Sequence, residues 1–383
     1  MNSLHPTPKI LMGPGPSDVP ARILEAMARP TVGHLDPQFI ALMDEIKSLL
    51  RFAFQTENAL TFPVSAPGSA GMETCFVNLI EPDDTVVVCV NGVFGGRMVE
   101  NVTRAGATAV VVSDDWGKPV DPQKVEDTLK AHPEAKILAF VHAETSTGVL
   151  SDAKALCALA REHDCLTIVD AVTSLGGVPV KVDEWGVDAI YSGTQKCLSV
   201  PPGLSPISFG PRAIAAVEAR VTPVQSWFLD LSLVMNYWQG PRSNSDSGSA
   251  PKKGGRSYHH TAPINAMYAL HEGLLMLHEE GLEAAFARHQ SQHEALRDGL
   301  EGLGFSFLVE PDYRLPQLNT VRIPERVTDE AMIRKNLLEN HDLEIGAGLG
   351  ALAGKVWRIG LMGASACPEN VEKCLGALQE ELG

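Results

Sequence analysis

From Leu60 to Phe209 the chain alternates short apolar runs with amphipathic stretches. Leu60–Val64, Thr85–Val90, Ala109–Val112, Ile137–His142, Thr167–Val169 and Ala189–Tyr191 have the length and composition of strands. Gly71–Ile80, Gly95–Arg104 and Ala153–His163 read as helices, the last with Leu156, Leu159 and Ala160 on one side. Strand, helix, strand at this spacing predicts an α/β fold, a mostly parallel sheet covered by helices on both faces. Sheets of this kind place ligands at the carboxyl ends of their strands. The loops just after the strands are therefore where chemistry is expected.

Beyond Thr261 the pattern changes. Thr261–Glu280 reads as a long helix, entered through Thr261 and Pro263 and left through Gly281. A second helix is expected at Leu282–Leu303, then strands at Phe305–Val309 and Gln317–Arg322. A helix at Asp329–Glu339, a strand at Val356–Ile359 and a last helix at Pro368–Leu382 complete a smaller α+β domain. The expected division is an N-terminal arm over 1–14, a large domain over 15–280 and a small C-terminal domain over 281–383. Pro241–Gly255 is rich in Gly, Ser and Pro, without an apolar anchor, and predicts a flexible surface loop.

Composition narrows the function. Hydrophobic residues make up 44% and charged residues 20% of the 383, which excludes general disorder. Lys+Arg 31 against Asp+Glu 47 gives −16, with no basic block to offset it, which argues against nucleic acid or an anionic membrane as a partner. No apolar run reaches the roughly 18 residues that span a bilayer. Met1–Lys9 lacks the apolar centre of a secretory signal. The seven cysteines are scattered and form no CxxC pair, which fits a reducing cytoplasm and predicts neither a metal site nor a disulfide framework.

Candidate chemistry concentrates between Ile168 and Pro202. Asp170 ends one apolar strand, and Lys196 follows another within Ser192-Gly193-Thr194-Gln195-Lys196. A buried lysine amine loses basicity and becomes a nucleophile toward carbonyls. A carboxylate across a pocket is what a pyridinium nitrogen requires. Together the pair implies pyridoxal 5'-phosphate, although a surface lysine and a helix-capping aspartate would read the same way. The small residues of Ser65–Gly71 would let backbone N–H groups at a helix start cradle a phosphate. Phe94, in the loop after Thr85–Val90, could stack on a cofactor ring or simply pack in the core.

Motifs running nearly end to end then carry a resemblance. They include Met12-Gly13-Pro14-Gly15-Pro16-Ser17, Gly33-His34-Leu35-Asp36-Pro37 and His142-Ala143-Glu144-Thr145-Ser146-Thr147-Gly148. Further along stand Val169-Asp170-Ala171-Val172-Thr173-Ser174, Tyr191-Ser192-Gly193-Thr194-Gln195-Lys196, Tyr258-His259-His260-Thr261 and Trp357-Arg358-Ile359-Gly360. In this order and spacing the chain resembles the class V aminotransferases of the fold-type I pyridoxal-phosphate superfamily. More narrowly, it resembles the alanine–glyoxylate and serine–glyoxylate (serine–pyruvate) aminotransferases.

The resemblance implies a role for each matching residue. Lys196 would carry the cofactor as an internal aldimine and move the substrate proton. Asp170 would pair with the ring nitrogen, Phe94 would stack on the ring, and Thr145 would lie near its hydroxyl. Gly68 and Ser69, with Gln195 close by, would hold the phosphate. Tyr258 and Thr261 would reach the phosphate of a neighbouring subunit, making the protein a homodimer with shared sites. Arg358 would grip the substrate carboxylate in two-oxygen fashion, and Gly15 and Pro16 would edge the substrate pocket. The implied reaction is ping-pong transfer of an amino group from alanine or serine to glyoxylate or pyruvate.

Alternatives on the same fold are a ureidoglycine–glyoxylate or aminophosphonate transaminase, a desulfurase or lyase, and a catalytically silent scaffold. Gln195, where desulfurases carry His, argues against desulfuration. Pro67 departs from the Ser or Thr often found beside the phosphate. His142 and Glu144 are expected to make structural hydrogen bonds. His259 and His260, adjacent in sequence, are expected to point apart and serve packing or interface contacts.

Overall fold

A computed structural model of the chain describes residues 3–239 and 256–383. The loop expected at 241–255 lies outside them. The larger sheet has seven strands in the order Leu60–Val64, Ser205–Phe209, Ala189–Tyr191, Leu166–Asp170, Ala135–Val141, Thr85–Val90 and Thr108–Ser113. Ser205–Phe209 is antiparallel to both neighbours. The remaining pairings are parallel. Val86, Val87, Val88 and Cys89, like Ile137 to Phe140, have no exposed surface. An unbroken run of β-branched and apolar side chains suits a strand covered on both faces.

Two departures from the sequence expectation bear on the site. The helix expected from Gly71 begins at Gly68 and runs to Leu79, with Pro67 at its N-cap (φ −66°). Gly68 and Ser69 thus become its first residues, although their low helix propensity hid the start. A helix not foreseen, Pro37–Phe54, opens with Asp36 accepting the Gln38 N–H at 2.8 Å. It buries Phe39, Met43, Ile46, Leu50 and Phe54 and packs on the long helix Ile264–Glu280.

A second sheet has the order Ile10–Met12, Leu343–Ala347, Val356–Gly360, Leu318–Arg322 and Ser306–Phe307. Ile10–Met12 joins it parallel to Leu343–Ile345. Met12, Leu296, Phe305, Leu337, Trp357 and Leu378 belong to its core, which is separate from that of the larger sheet. A small cluster of Ala143, Cys197, Leu315, Leu318 and Met362 includes the neighbour of Lys196 in sequence, Cys197, and Leu318 of this second sheet. No helix among the described residues is long and apolar enough to cross a membrane.

Candidate active site

Five parallel strands of the larger sheet end on one edge, and these strands or the segments leaving them carry several of the expected residues. Leu60–Val64 leads to Gly68 and Ser69, Thr85–Val90 to Phe94, and Ala135–Val141 to Thr145. Leu166–Asp170 ends in Asp170 itself, and Ala189–Tyr191 leads to Lys196.

Lys196 is 7% exposed, and its amine donates to the carbonyl of Pro14. Burial lowers the amine pKa to about 8, helped by the positive charge of Arg358. Gly15 covers the amine. Its φ of +102° favours glycine, and a β-carbon there would lie 2.7 Å from Lys196 Nζ. Ser17 fixes this strap by donating its hydroxyl to the Lys196 carbonyl at 2.7 Å. Pro16, next to Gly15, is exposed.

Asp170 is 2% exposed, and burial raises its pKa to about 7. One oxygen accepts the Val172 N–H at 2.8 Å and the other the Tyr191 hydroxyl at 2.7 Å. Sequence reading missed Tyr191 as a site residue. Its position opposite Asp170 in a parallel pair is a tertiary fact without a local signal.

Arg358 is 5% exposed and forms no ion pair among the described residues. Its Nε donates to the Ala347 carbonyl at 2.8 Å and its Nη1 to the Thr145 carbonyl at 3.0 Å. Burial lowers its pKa to about 10, opposed by the negative charge of Glu144. A buried guanidinium held only by carbonyls favours an incoming carboxylate. Thr145 Oγ1 meets Thr173 Oγ1 at 2.5 Å. Phe94 is half-buried, with the Arg97 guanidinium over its ring at 4.7 Å.

At the far end, the helix starting at Gly68 has no side-chain cap. A β-carbon on Gly68 would touch Ser192 O and Val172 at 3.4 Å. The Oε1 of Gln195 is buried without a hydrogen-bond partner. Tyr258 is 59% exposed, and its hydroxyl meets Thr261 Oγ1 at 3.4 Å. Their hydrogen bonds and ring contacts do not join them to Lys196, Asp170 or Arg358. His259 and His260 do not point apart as expected. Their Nδ1 atoms lie 2.8 Å apart, because His260 turns inward to meet Ser65 Oγ at 2.7 Å while His259 stacks on Trp227. Of the two expected structural hydrogen bonders, Glu144 is fully engaged, whereas His142 Nδ1 is buried without a partner.

A buried amine and a buried carboxylate lie at the exits of the larger sheet, and a buried arginine from strand Val356–Gly360 of the second sheet adds its charge beside the amine, an arrangement that suits transamination. The family model for class V aminotransferases matches residues 11–372, and the chain belongs to that family. It is an enzyme, a pyridoxal-phosphate-dependent transaminase of fold type I. An alanine–glyoxylate aminotransferase of Oryctolagus cuniculus is 39% identical over 375 residues, covering 98% of this chain and 92% of the relative. An (S)-ureidoglycine–glyoxylate transaminase of Bacillus subtilis is 37% identical over 392 residues, covering 98% and 90%. A crystal structure of an alanine–glyoxylate aminotransferase from Nostoc sp. superposes with a TM-score of 0.94 at 45% identity, covering 100% of this chain and 97% of that one.

The residues present fit pyridoxal phosphate. The uncapped helix start supplies N–H groups for a phosphate. The desolvated Asp170 carboxylate forms no ion pair among the described residues, the Lys196 charge acting on it only weakly, and the Lys196 amine is partly free base near neutral pH. These are the three complements the group requires.

Proposed function

We propose that this enzyme moves an amino group from a small amino acid, alanine or serine, to glyoxylate or pyruvate in two half-reactions, with one product leaving before the second substrate enters. The observation that carries this reading is the Arg358 guanidinium, buried beside Lys196 with carbonyl partners alone. Gly68 and Ser69 would hold the cofactor phosphate, with Gln195 beside it. Asp170 would face the ring nitrogen, Phe94 would wall one side of the ring, and Thr145 would stand near its hydroxyl. Bound there, pyridoxal phosphate supplies an aldehyde for the amino group and a ring that draws electrons from the substrate Cα.

Arg358 grips the substrate carboxylate and so fixes the direction of the Cα–H bond. Lys196 Nζ would take the Cα proton and return it to the carbon two atoms away, across the transferred nitrogen, a task suited to an amine with pKa about 8. The strap of Gly15 and Pro16 closes over the amine and limits substrate size. Both curated relatives named above take glyoxylate by name, which supports a small oxo acid as acceptor. The Bacillus subtilis relative makes ureidoglycine a second donor to test.

The exposed Tyr258, beside His34, and the exposed Trp227, stacked on His259, support a homodimer in which Tyr258 and Thr261 would complete the neighbouring site. The two cores support a division of the chain near Gly281, with Ile10–Met12 added to the smaller unit. The scattered, unpaired cysteines support a cytoplasmic location. The deciding experiment mixes the purified yellow enzyme with alanine, serine or ureidoglycine, follows loss of the cofactor's visible band, and then adds glyoxylate or pyruvate to restore it. No bleaching by any of these donors would overturn the reading.

A further inference from the structure

Glu144 is wholly buried, yet the class resemblance gives it no role in the reaction. It sits in the short strand Ala143–Glu144, directly before Thr145. The helix Val93–Arg104 opens behind Gly92, which has no side chain to cap it. The first N–H groups of a helix need acceptors from elsewhere, and Glu144 with Ser146 supplies them. Val93 N donates to Ser146 Oγ at 3.0 Å and Phe94 N to Glu144 Oε2 at 3.2 Å, and the Gly95 amide also donates to this carboxylate. The other oxygen, Oε1, accepts from Ser146 N at 3.0 Å and Ser146 Oγ at 2.6 Å. A negative group is favoured at this end of a helix. Gly92 makes room for it, since a β-carbon there would lie 2.4 Å from Glu144 Cδ.

The same carboxylate therefore fixes two walls. On one side it holds the backbone that carries Phe94. On the other, the next residue presents its carbonyl to Arg358 Nη1. Resting on the function proposed above, we infer that Glu144 is a positioning residue that sets Phe94 toward the cofactor and, through Thr145, Arg358 toward the substrate carboxylate.

Glu144→Gln keeps the volume but replaces one acceptor oxygen with an NH2 that faces N–H donors. Two readings decide. Titration of the cofactor-free variant with pyridoxal phosphate, followed by visible circular dichroism, should show affinity weakened about tenfold. The KM for donor and acceptor should rise about fivefold or more, with kcat falling less than KM rises. A role confined to stability would lower the melting temperature and leave both quantities unmoved. Ser146→Ala, which removes only the hydroxyl between Val93 N and Oε1, should move both the same way by about twofold to fivefold. It decides alone if Glu144→Gln fails to fold. Cofactor and substrate binding within about twofold of wild type in the folded variants overturns the inference. Absence of transamination in the wild type would instead sink the proposed function and leave the cofactor titration to judge Glu144.

Discussion

The Tyr191 hydroxyl donates to Asp170 Oδ2 at 2.7 Å, and the two residues are register partners on adjacent parallel strands. Both are buried, so the bond acts on an ionised carboxylate where water cannot replace it. The bond lowers the Asp170 pKa, against the larger effect of burial. Tyr191→Phe removes the donor without changing the ring. Hydrogen bonds to charged groups contribute about 1.5–3 kcal/mol, so the cofactor-free variant should lose about that much stability. The loss should be full above pH 7, where the carboxyl is ionised, and smaller at pH 6. Thermal melts at the two values check the sign; an equal loss at both would show that the bond does not serve the ionised form.

Asp170 itself yields a prediction of opposite direction. Its pKa of about 7 stands above the ordinary 3.8, so the folded chain binds this proton more tightly than the unfolded chain. A raised carboxyl pKa costs stability progressively as pH climbs from 3.8 to 7, and fully above that, by on the order of 4 kcal/mol at about 1.4 kcal/mol per pH unit. Asp170→Asn removes that cost. The cofactor-free variant should melt higher than cofactor-free wild type at pH 8, with the gap shrinking toward pH 5. Its affinity for pyridoxal phosphate should nevertheless fall, because the ring nitrogen would lose the counter-charge proposed for it. Calorimetric melts and a cofactor titration on the same sample test both halves. A variant that melts lower at pH 8 would mean that a cation such as Lys196 compensates Asp170 in the cofactor-free protein.

These residues also show what a linear reading can recover. Asp170 and Lys196 were legible because each stands where an apolar run of strand length stops, and parallel sheets place such positions on one edge. Tyr191 was invisible as a partner because its relation to Asp170 exists only after two strands pair in register. Glu144 was legible as a structural hydrogen bonder but its target was not: it caps a helix from a distant segment, whereas capping signals in sequence are local. Ile10–Met12 carries no periodicity at three residues, and its pairing with Leu343–Ile345 joins opposite ends of the chain. The early start at Gly68 was masked by Pro, Gly and Ser, residues that serve turns as readily as first helical turns.

Lys196 should report its environment through pH. An amine attacks an aldehyde as the free base, and burial with the Arg358 charge brings its pKa to about 8. The rate at which cofactor-free enzyme captures pyridoxal phosphate should rise about tenfold per pH unit below 8 and level off above it. Arg358→Gln removes a like charge, so the midpoint should move upward. The same variant should raise KM for carboxylate substrates by about 30-fold or more, as expected when a buried charge pair of about 2–5 kcal/mol is broken. Stopped-flow absorbance across pH 6 to 10 and steady-state kinetics measure the two effects. A midpoint unmoved in Arg358→Gln would separate Arg358 from the amine. Lys196→Ala should lose the visible imine band and at least about 10³-fold in rate.

Gly15 offers the sharpest test of how the N-terminal strap meets the amine. At φ +102° an alanine is strained whatever space surrounds it, and its β-carbon would fall 2.7 Å from both Nζ and Cδ of Lys196. The atoms that must yield belong to a flexible side chain, so the fold survives and the reactive amine moves. Gly15→Ala should therefore cost about 1–3 kcal/mol of stability from the backbone and about 10²-fold in kcat/KM from displacing the amine by a fraction of an ångström or more. Gly33→Ala is the matched control, since no atom lies within 4 Å of a β-carbon there and its φ is not in the left-handed region. Melting curves and kcat/KM on the two variants decide between a strap that covers the amine and a loop that merely passes nearby: in the second case the two alanines would behave alike.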